Sequence, residues 1–313
     1  MGMIWRRHTE RSQPPARSKL PLALGALTLL GAVGAWFVVG GTAPTLARLE
    51  VGGQAAQRVL NQDRLRLTLG SWPHFSSPHF VTYYGPGLAD MAHLVTDTAA
   101  RDYARVFADF ALPVSGPRQL LVVVSPAEMA RYVGGPSANP PLGAYYDGAV
   151  WLLAPTAFLR QGPHLGARYA ATGPTAHELT HLADALVSGG RTPVWLDEGL
   201  AQYEDWRLTG YVWQGPDSGF GGRVYSWAQI TDHFAQLPNQ ALAYRQALAA
   251  TASICRGGRG VCLHILQALR RGVAWPQAIQ AATGRAALRS LEAGAAWRPG
   301  SAPRTGARAG PAP

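Results

Sequence analysis

Charge is scarce in this chain of 313 residues: 15% are charged, against 47% hydrophobic. That balance excludes a disordered chain, whose few apolar groups could not offset the entropy of ordering. Lysine is nearly missing. Lys19 stands alone among 28 basic residues, the rest being arginine, a GC-rich habit without functional content. A basic central surface is missing too, despite a formal net charge of +10. Residues 1–19 hold Arg6, Arg7, Arg11, Arg17 and Lys19 against Glu10, and the tail holds Arg298, Arg304 and Arg308. Little excess is left for everything between, so no basic groove and no nucleic-acid partner are expected. Cysteine is limited to two residues, Cys255 and Cys262, which flank RGGRGV.

No charged residue lies between Lys19 and Arg48. The apolar part, LPLALGALTLLGAVGAWFVVGG, is about 20 residues long, enough to cross roughly 30 Å of hydrocarbon as a helix. The basic residues before it leave the N-terminus in the cytoplasm and the bulk of the chain outside. A cleaved signal peptide, cut near Thr45-Leu46-Ala47, is the rival reading. Its apolar region usually runs only about 7–15 residues, which favours an uncleaved anchor. The expected layout is a cytoplasmic basic segment 1–19, a transmembrane anchor 20–41, a stalk 42–74, a folded domain 75–297 and a disordered low-complexity tail 298–313. An exported domain permits a Cys255–Cys262 disulfide, whose short loop would contribute about 2–3 kcal/mol in the chain-entropy model. Two unlinked thiols are the alternative.

Within the stalk, LARLEVGGQAAQRVL reads as a possible helix weakened by Gly52-Gly53. The domain opens on SSPHFVTYYGPG, a short β-rich run, followed by helical spacing in LADMAHLVTDTAARDYARVFADFAL, which ends before Pro113. RQLLVVVS reads as a buried strand, PAEMARYVGG as a short helix between proline and glycines, and AYYDGAVWLLAP as a hairpin turning at Asp147-Gly148. From residue 175 onward the pattern is helical. Strands and helices in front with helices behind give an α+β domain with a small sheet.

One helical stretch, TAHELTHLAD, concentrates chemistry. Positions i and i+4 lie about 40° apart in projection, so His177 and His181 can aim both imidazoles at one point, as a tetrahedral Zn²⁺ requires. Glu178 lies about 100° round from His177, beside the metal, where it can take a proton from a zinc-bound water. A core histidine is the bland alternative. An HExxH match by chance, in under roughly 1 sequence in 100 of this composition, weighs against it. A third ligand is still needed, with one position open. WLDEGLAQYEDW, reached through the reversing connection VSGGRTP, offers Glu198 early in a second helix. Gln202 and Asp184 could accept a hydrogen bond from a ligand histidine, and Trp195 and Tyr203 read as packing aromatics.

HExxH followed by W-L-x-E-G-x-A-x-Y resembles the peptidase MA-like domains of the gluzincin metallopeptidases, relatives of the gluzincin aminopeptidases. The resemblance implies a zincin-like domain over 75–297 with a small mixed sheet, an active-site helix and a helical subdomain. It implies one Zn²⁺ held by His177, His181 and Glu198, with Glu178 as general base. It also implies an edge strand that aligns substrate, for which VWLLAP is the candidate, and an oxyanion-stabilising tyrosine, for which AYRQALAATASI nominates Tyr244. In that segment Ala247 replaces the family's glycine, and Tyr225 and His233 are the reserves. The aminopeptidase relatives hold the substrate amine with the glutamate of a G-A-M-E-N-like segment. Here Gly143-Ala144-Tyr145-Tyr146-Asp147 has a tyrosine in that place, and the relatives' large N-terminal β-domain is absent. The expected activity is therefore endopeptidase action on a peptide or protein substrate at the outer face of the cell membrane. The alternative is a catalytically silent zincin-fold binding or assembly module of the cell envelope, against which the intact Glu178 argues.

Overall fold

The computed structural model describes residues 43–213 and 224–284. The expected anchor 20–41, the segment 1–19 and the tail 298–313 lie outside them. Among the described residues no helix is long and apolar enough to cross a membrane.

The chain forms an α+β unit around a five-stranded mixed sheet. Its strands are β1 (His74–Ser76), β2 (Phe80–Tyr84), β3 (Gln119–Val124), β4 (Gly143–Tyr146) and β5 (Ala149–Leu153), in spatial order β1-β2-β3-β5-β4. The central strands β2, β3 and β5 are parallel, and β1 and β4 flank them antiparallel. Two local signals set much of this order. Asp147 and Gly148 both take positive φ, 51° and 77°, the conformation that lets a two-residue turn follow the strands' twist. β4 therefore folds back on β5. Between β3 and β5, helix α3 (Pro126–Tyr132) starts at a capping box: Ser125 accepts from the Glu128 N–H, and Glu128 accepts from the Ser125 N–H. Those bonds satisfy amides that a helix start leaves open.

The run VWLLAP, expected to be the substrate-aligning edge, is interior. β5 pairs with β3 on one side and β4 on the other, and all five of its residues are buried. The free edge on that side is β4.

Alternation along the strands divides the core in two. One set, including Phe80, Leu121, Val123, Val150 and Leu152, packs against α2 (Ala89–Asp109) and the helical half of the chain. The other, including Leu120, Val122, Val124 and Trp151, is covered by α3 and by Leu65 and Leu69. Leu65 belongs to α1 (Ala43–Thr68), which occupies most of the expected stalk and runs through Gly52-Gly53 without a break. Its Gln62 side chain donates to the Gly148 carbonyl at 2.8 Å, and Asn61 donates to Asp147. The end of this segment is thus part of the fold.

The helical half contains α4 (Leu165–Thr172), α5 (Thr175–Ser188), α6 (Val194–Thr209), α7 (Trp227–Asp232), α8 (Gln240–Ile254), α9 (Arg259–Arg270) and α10 (Trp275–Thr283). Gly189 and Gly190, at φ 68° and 72°, reverse the chain after α5, so α6 packs back along it. Trp195 is fully buried edge-on between Trp227 and Trp275, which ties α6 to α7 and α10. Arg207 bridges Glu204 and, at 2.8 Å, Asp109 at the end of α2. Arg259 also pairs with Asp109, from a turn closed by the Cys255–Cys262 disulfide.

Gly199 is where α6 meets α8 most closely. A Cβ there would stand 2.6 Å from the Ala247 carbonyl oxygen and would also strike the Thr251 hydroxyl. The carbonyl is backbone of a packed helix and cannot swing away. Gly199→Ala should therefore wedge the two helices apart and cost about 1–3 kcal/mol, the range for overpacking a core. Urea titration of both proteins checks this, and an unchanged midpoint would show that the contact is loose.

Candidate metal centre

The site is built by the antiparallel pair α5–α6, with α8 behind it and the edge strand β4 in front. The i, i+4 spacing on α5 leaves His177 and His181 one turn apart on one face, with ring centroids 4.8 Å apart and planes at 78°. On α6, Glu198 and Asp205 are seven residues apart and so share a face, while Asp197 adjoins it. That face meets the two histidines.

The Nε2 atoms of His177 and His181 lie 3.4 and 3.6 Å from Glu198 Oε2. Ligand atoms from the three residues all fall within 4.8 Å of one another, and all three side chains are buried. The opposite ring nitrogens are committed elsewhere: His181 Nδ1 meets Asp197 Oδ1 at 2.8 Å, and His177 Nδ1 meets Asp205 Oδ2 at 3.3 Å. A carboxylate on Nδ1 holds the proton there and turns the Nε2 lone pair toward the shared point. Two imidazole nitrogens and one carboxylate oxygen converging in this way form a donor set that could hold a metal ion, and the residues fit one.

Charge supports that fit. Burial alone would lower the His177 pKa, but hydrogen bonds to Asp205 and Glu198 outweigh it and push His177 up to about 9. For His181 burial is likewise overcome by Asp197 and Glu198, and the pKa rises well above the usual value. Burial would raise Glu198, yet the two imidazoles hold it far below the carboxylate range. Without a metal the carboxylates thus keep the imidazoles protonated, and a divalent cation can replace those protons. Further back, Asp102 on α2 is pushed up to about 7, first by burial and then by the negative charge of Asp205.

Glu178 follows His177 on α5 and is 1% exposed. Its carboxylate lies against β4: a Cβ on Gly143 would stand 2.7 Å from Glu178 Cγ and 2.9 Å from Oε1. A glycine at this point is what admits the carboxylate between the helix and the edge strand. Tyr244, on α8, reaches the same centre from behind and is hydrogen-bonded with the Glu198 side chain. Burial, then the charges of Glu198 and Glu178, raise its pKa well above the usual value, so the phenol keeps its proton. Trp213 and Phe234 hold its ring edge-on. Ala247, where the resemblance leads one to expect glycine, sits on the same helix against Gly199 of α6; the glycine of this close helix pair is on the other helix.

The structure brings His177, Glu178, His181, Glu198 and Tyr244 together. It does not bring in the reserves. The Tyr225 hydroxyl is engaged with the backbone of Asn239, and His233 is an exposed residue at the end of α7. Neither candidate for a histidine partner serves. Asp184 accepts from the Thr192 hydroxyl at 2.7 Å, and Gln202 donates to the carbonyls of Tyr244 and Glu198. Asp197 and Asp205 take that role instead.

Metal uptake should release protons, because imidazoles protonated in the metal-free protein must give them up. His177, raised to about 9, is protonated below that pH, and His181 is raised too, so affinity should rise with pH from 6 to about 9. Calorimetry in buffers of different ionisation enthalpy reads the proton count, and heats that do not depend on the buffer would contradict it. Asp205→Ala, which removes the His177 orienting group, should weaken metal binding by about 10–100-fold. Comparison with family models, with curated proteins and with solved structures finds no match to this chain.

Proposed function

We propose that the chain is a zinc metallopeptidase of zincin-like fold, favouring internal peptide bonds, tethered by residues 20–41 with its domain outside the cytoplasm. The observation that carries this reading is the convergence of His177, His181 and Glu198 with Glu178 beside them and the Tyr244 phenol behind. Two imidazoles and a carboxylate are a ligand set suited to zinc, and three protein ligands leave a position for chemistry. A zinc ion held there would supply Lewis acidity toward a peptide carbonyl.

The protein's own groups supply the rest. Glu178 takes a proton from the attacking water and returns it to the leaving amine. Its place between α5 and Gly143 puts the base beside the edge strand, where an extended peptide could pair with β4 by main-chain hydrogen bonds. Asp197 and Asp205 hold the imidazoles in one tautomer. Tyr244, kept protonated, is a donor for the negative charge that develops on the carbonyl oxygen. Endopeptidase action is supported by Tyr146, which stands on β4 where an aminopeptidase would need a carboxylate for the substrate amine.

Glu178→Gln removes the base while keeping size and polarity. It should retain one metal per chain and lose peptide hydrolysis, read by metal analysis alongside digestion of a peptide library. Tyr244→Phe should retain metal and lower kcat by about 10²–10³, the usual effect of deleting an oxyanion donor. A metal-loaded wild type that cleaves nothing in the library would sink the peptidase reading and favour a binding module. For topology, a C-terminal reporter active only outside the cytoplasm should signal, and the chain should stay in carbonate-washed membranes. Recovery of a shorter soluble form would show a cleaved signal instead.

A further inference from the structure

Beside the free edge of the sheet runs a groove of about 230 Å³ that the chemistry above does not use. It lies between α1, the C-terminal end of α5 and β4, and is lined among others by Gln54, Arg58, Tyr145, Leu186, Gly190 and Arg270. Among the described residues two guanidinium groups line it and no acid does. Arg270 donates one N–H to the Leu186 carbonyl at 2.9 Å, which leaves most of its five donors available. Arg58, half-buried on α1, makes no hydrogen bond or ion pair among the described residues.

The position of the groove gives it a meaning. Gly143 touches Glu178, and Tyr145 is two residues further along β4 on the same face, about 7 Å away. On α5, Leu186 lies eight residues beyond Glu178, about 12 Å along the axis. Strand and helix therefore both lead from the general base to the groove. An extended peptide paired with β4 advances about 3.3 Å per residue, so its second or third residue from the cleaved bond reaches the arginines. Antiparallel pairing is the more stable mode, and it sends the N-terminal side of the peptide toward Tyr145.

We propose that this groove is a carboxylate-binding subsite, in which Arg58 and Arg270 select peptides bearing an acidic side chain two or three residues N-terminal to the cleaved bond. The proposal rests on the peptidase reading for its location. A guanidinium fork matches a carboxylate by two parallel hydrogen bonds, which gives geometric as well as electrostatic selection. A terminal carboxylate has the same chemistry, but it would reach the groove only from a peptide running parallel to β4.

The test uses the full-length, metal-loaded chain carrying Glu178→Gln and labelled peptides, acetylated and amidated, with Glu or Gln scanned through a common sequence. Fluorescence anisotropy should show a Glu peptide binding about tenfold more tightly than its Gln counterpart, as a charge-assisted pair predicts. Adding Arg58→Gln or Arg270→Gln should shrink that ratio toward one, and arginine-to-lysine variants should retain part of it. Metal content and thermal midpoint verify that each variant is folded. In the cleaving protein, the Glu-to-Gln ratio of kcat/KM should follow the same pattern. Equal binding of Glu and Gln peptides, or a preference that survives both arginine replacements, would overturn the subsite. A preference that appears only with a free C-terminal carboxylate would overturn the side-chain assignment. Charge-selective binding without any hydrolysis would uphold the subsite while the peptidase reading fell.

Discussion

Two buried imidazoles face three buried carboxylates across the α5–α6 interface, and the rest of the structure is arranged around that meeting. Buried charges are costly unless each is paired and hydrogen-bonded. Here each histidine has one nitrogen on its own aspartate and the other facing Glu198. The pairing requires α6 to present Asp197, Glu198 and Asp205 to α5 together, which fixes its rotation. With that rotation set, Gly199 and Gln202 turn toward α8, one making room for the helix and the other bonding the Tyr244 carbonyl. The tyrosine's placement therefore follows from the same constraint as the ligands'. Glu204 and Arg207, bonded with Asp109, lock the far end of α6 to α2.

Apolar packing holds these charges in place. The sheet face carrying Leu121, Val123, Val150 and Leu152 forms one continuous core with α2, α5 and the later helices. Trp195, at the start of α6, is clamped by two further indoles. A helix whose first turn is anchored in this way cannot rotate to relieve the repulsion between its own acids. The resulting negative centre is neutralised by protons on the imidazoles or by a cation. This is the physical basis for expecting metal uptake and proton loss to be coupled.

Much of this was legible in the sequence because it depends on local geometry. The i, i+4 histidines, the Asp147-Gly148 hairpin and the short helix after Ser125, begun by a proline and followed by glycines, are each set within a few residues. Glu198 was legible as a ligand candidate because VSGGRTP marks a reversal, which the structure makes at Gly189 and Gly190. What one turn of helix could not tell was which side of α6 faces α5. Gln202, one turn after Glu198, was a reasonable partner for a ligand histidine, but that side belongs to α8. Asp205, two turns on, was the better choice by helical phase. Strand order was also hidden, since it depends on contacts far apart in the chain. Even so, the unbroken apolar run of VWLLAP is the mark of a strand buried on both faces, and it pointed to an interior place for β5. Helix α4 leaves little mark in the sequence because LGARYAAT is too short for its period to stand out.

The N-terminal helix shows how a segment read as a tether can become part of the fold. Gly52-Gly53 costs helix stability in isolation, and among the described residues nothing lies within 4 Å of where a Cβ on either glycine would stand. The helix continues because its later turns are fastened: Leu65 in the second core, Asn61 and Gln62 on the hairpin turn. Fastened there, α1 crosses the end of β4 and approaches the turn after α5, where a Cβ on Gly190 would meet the Gln54 side chain at 2.8 Å. The helix thus bounds β4 near Tyr145, where Gln54 and Arg58 line the same groove. If an extended peptide pairs with β4 as proposed, its register is limited on one side by the helix that carries Arg58, and that helix also places a charge on the groove.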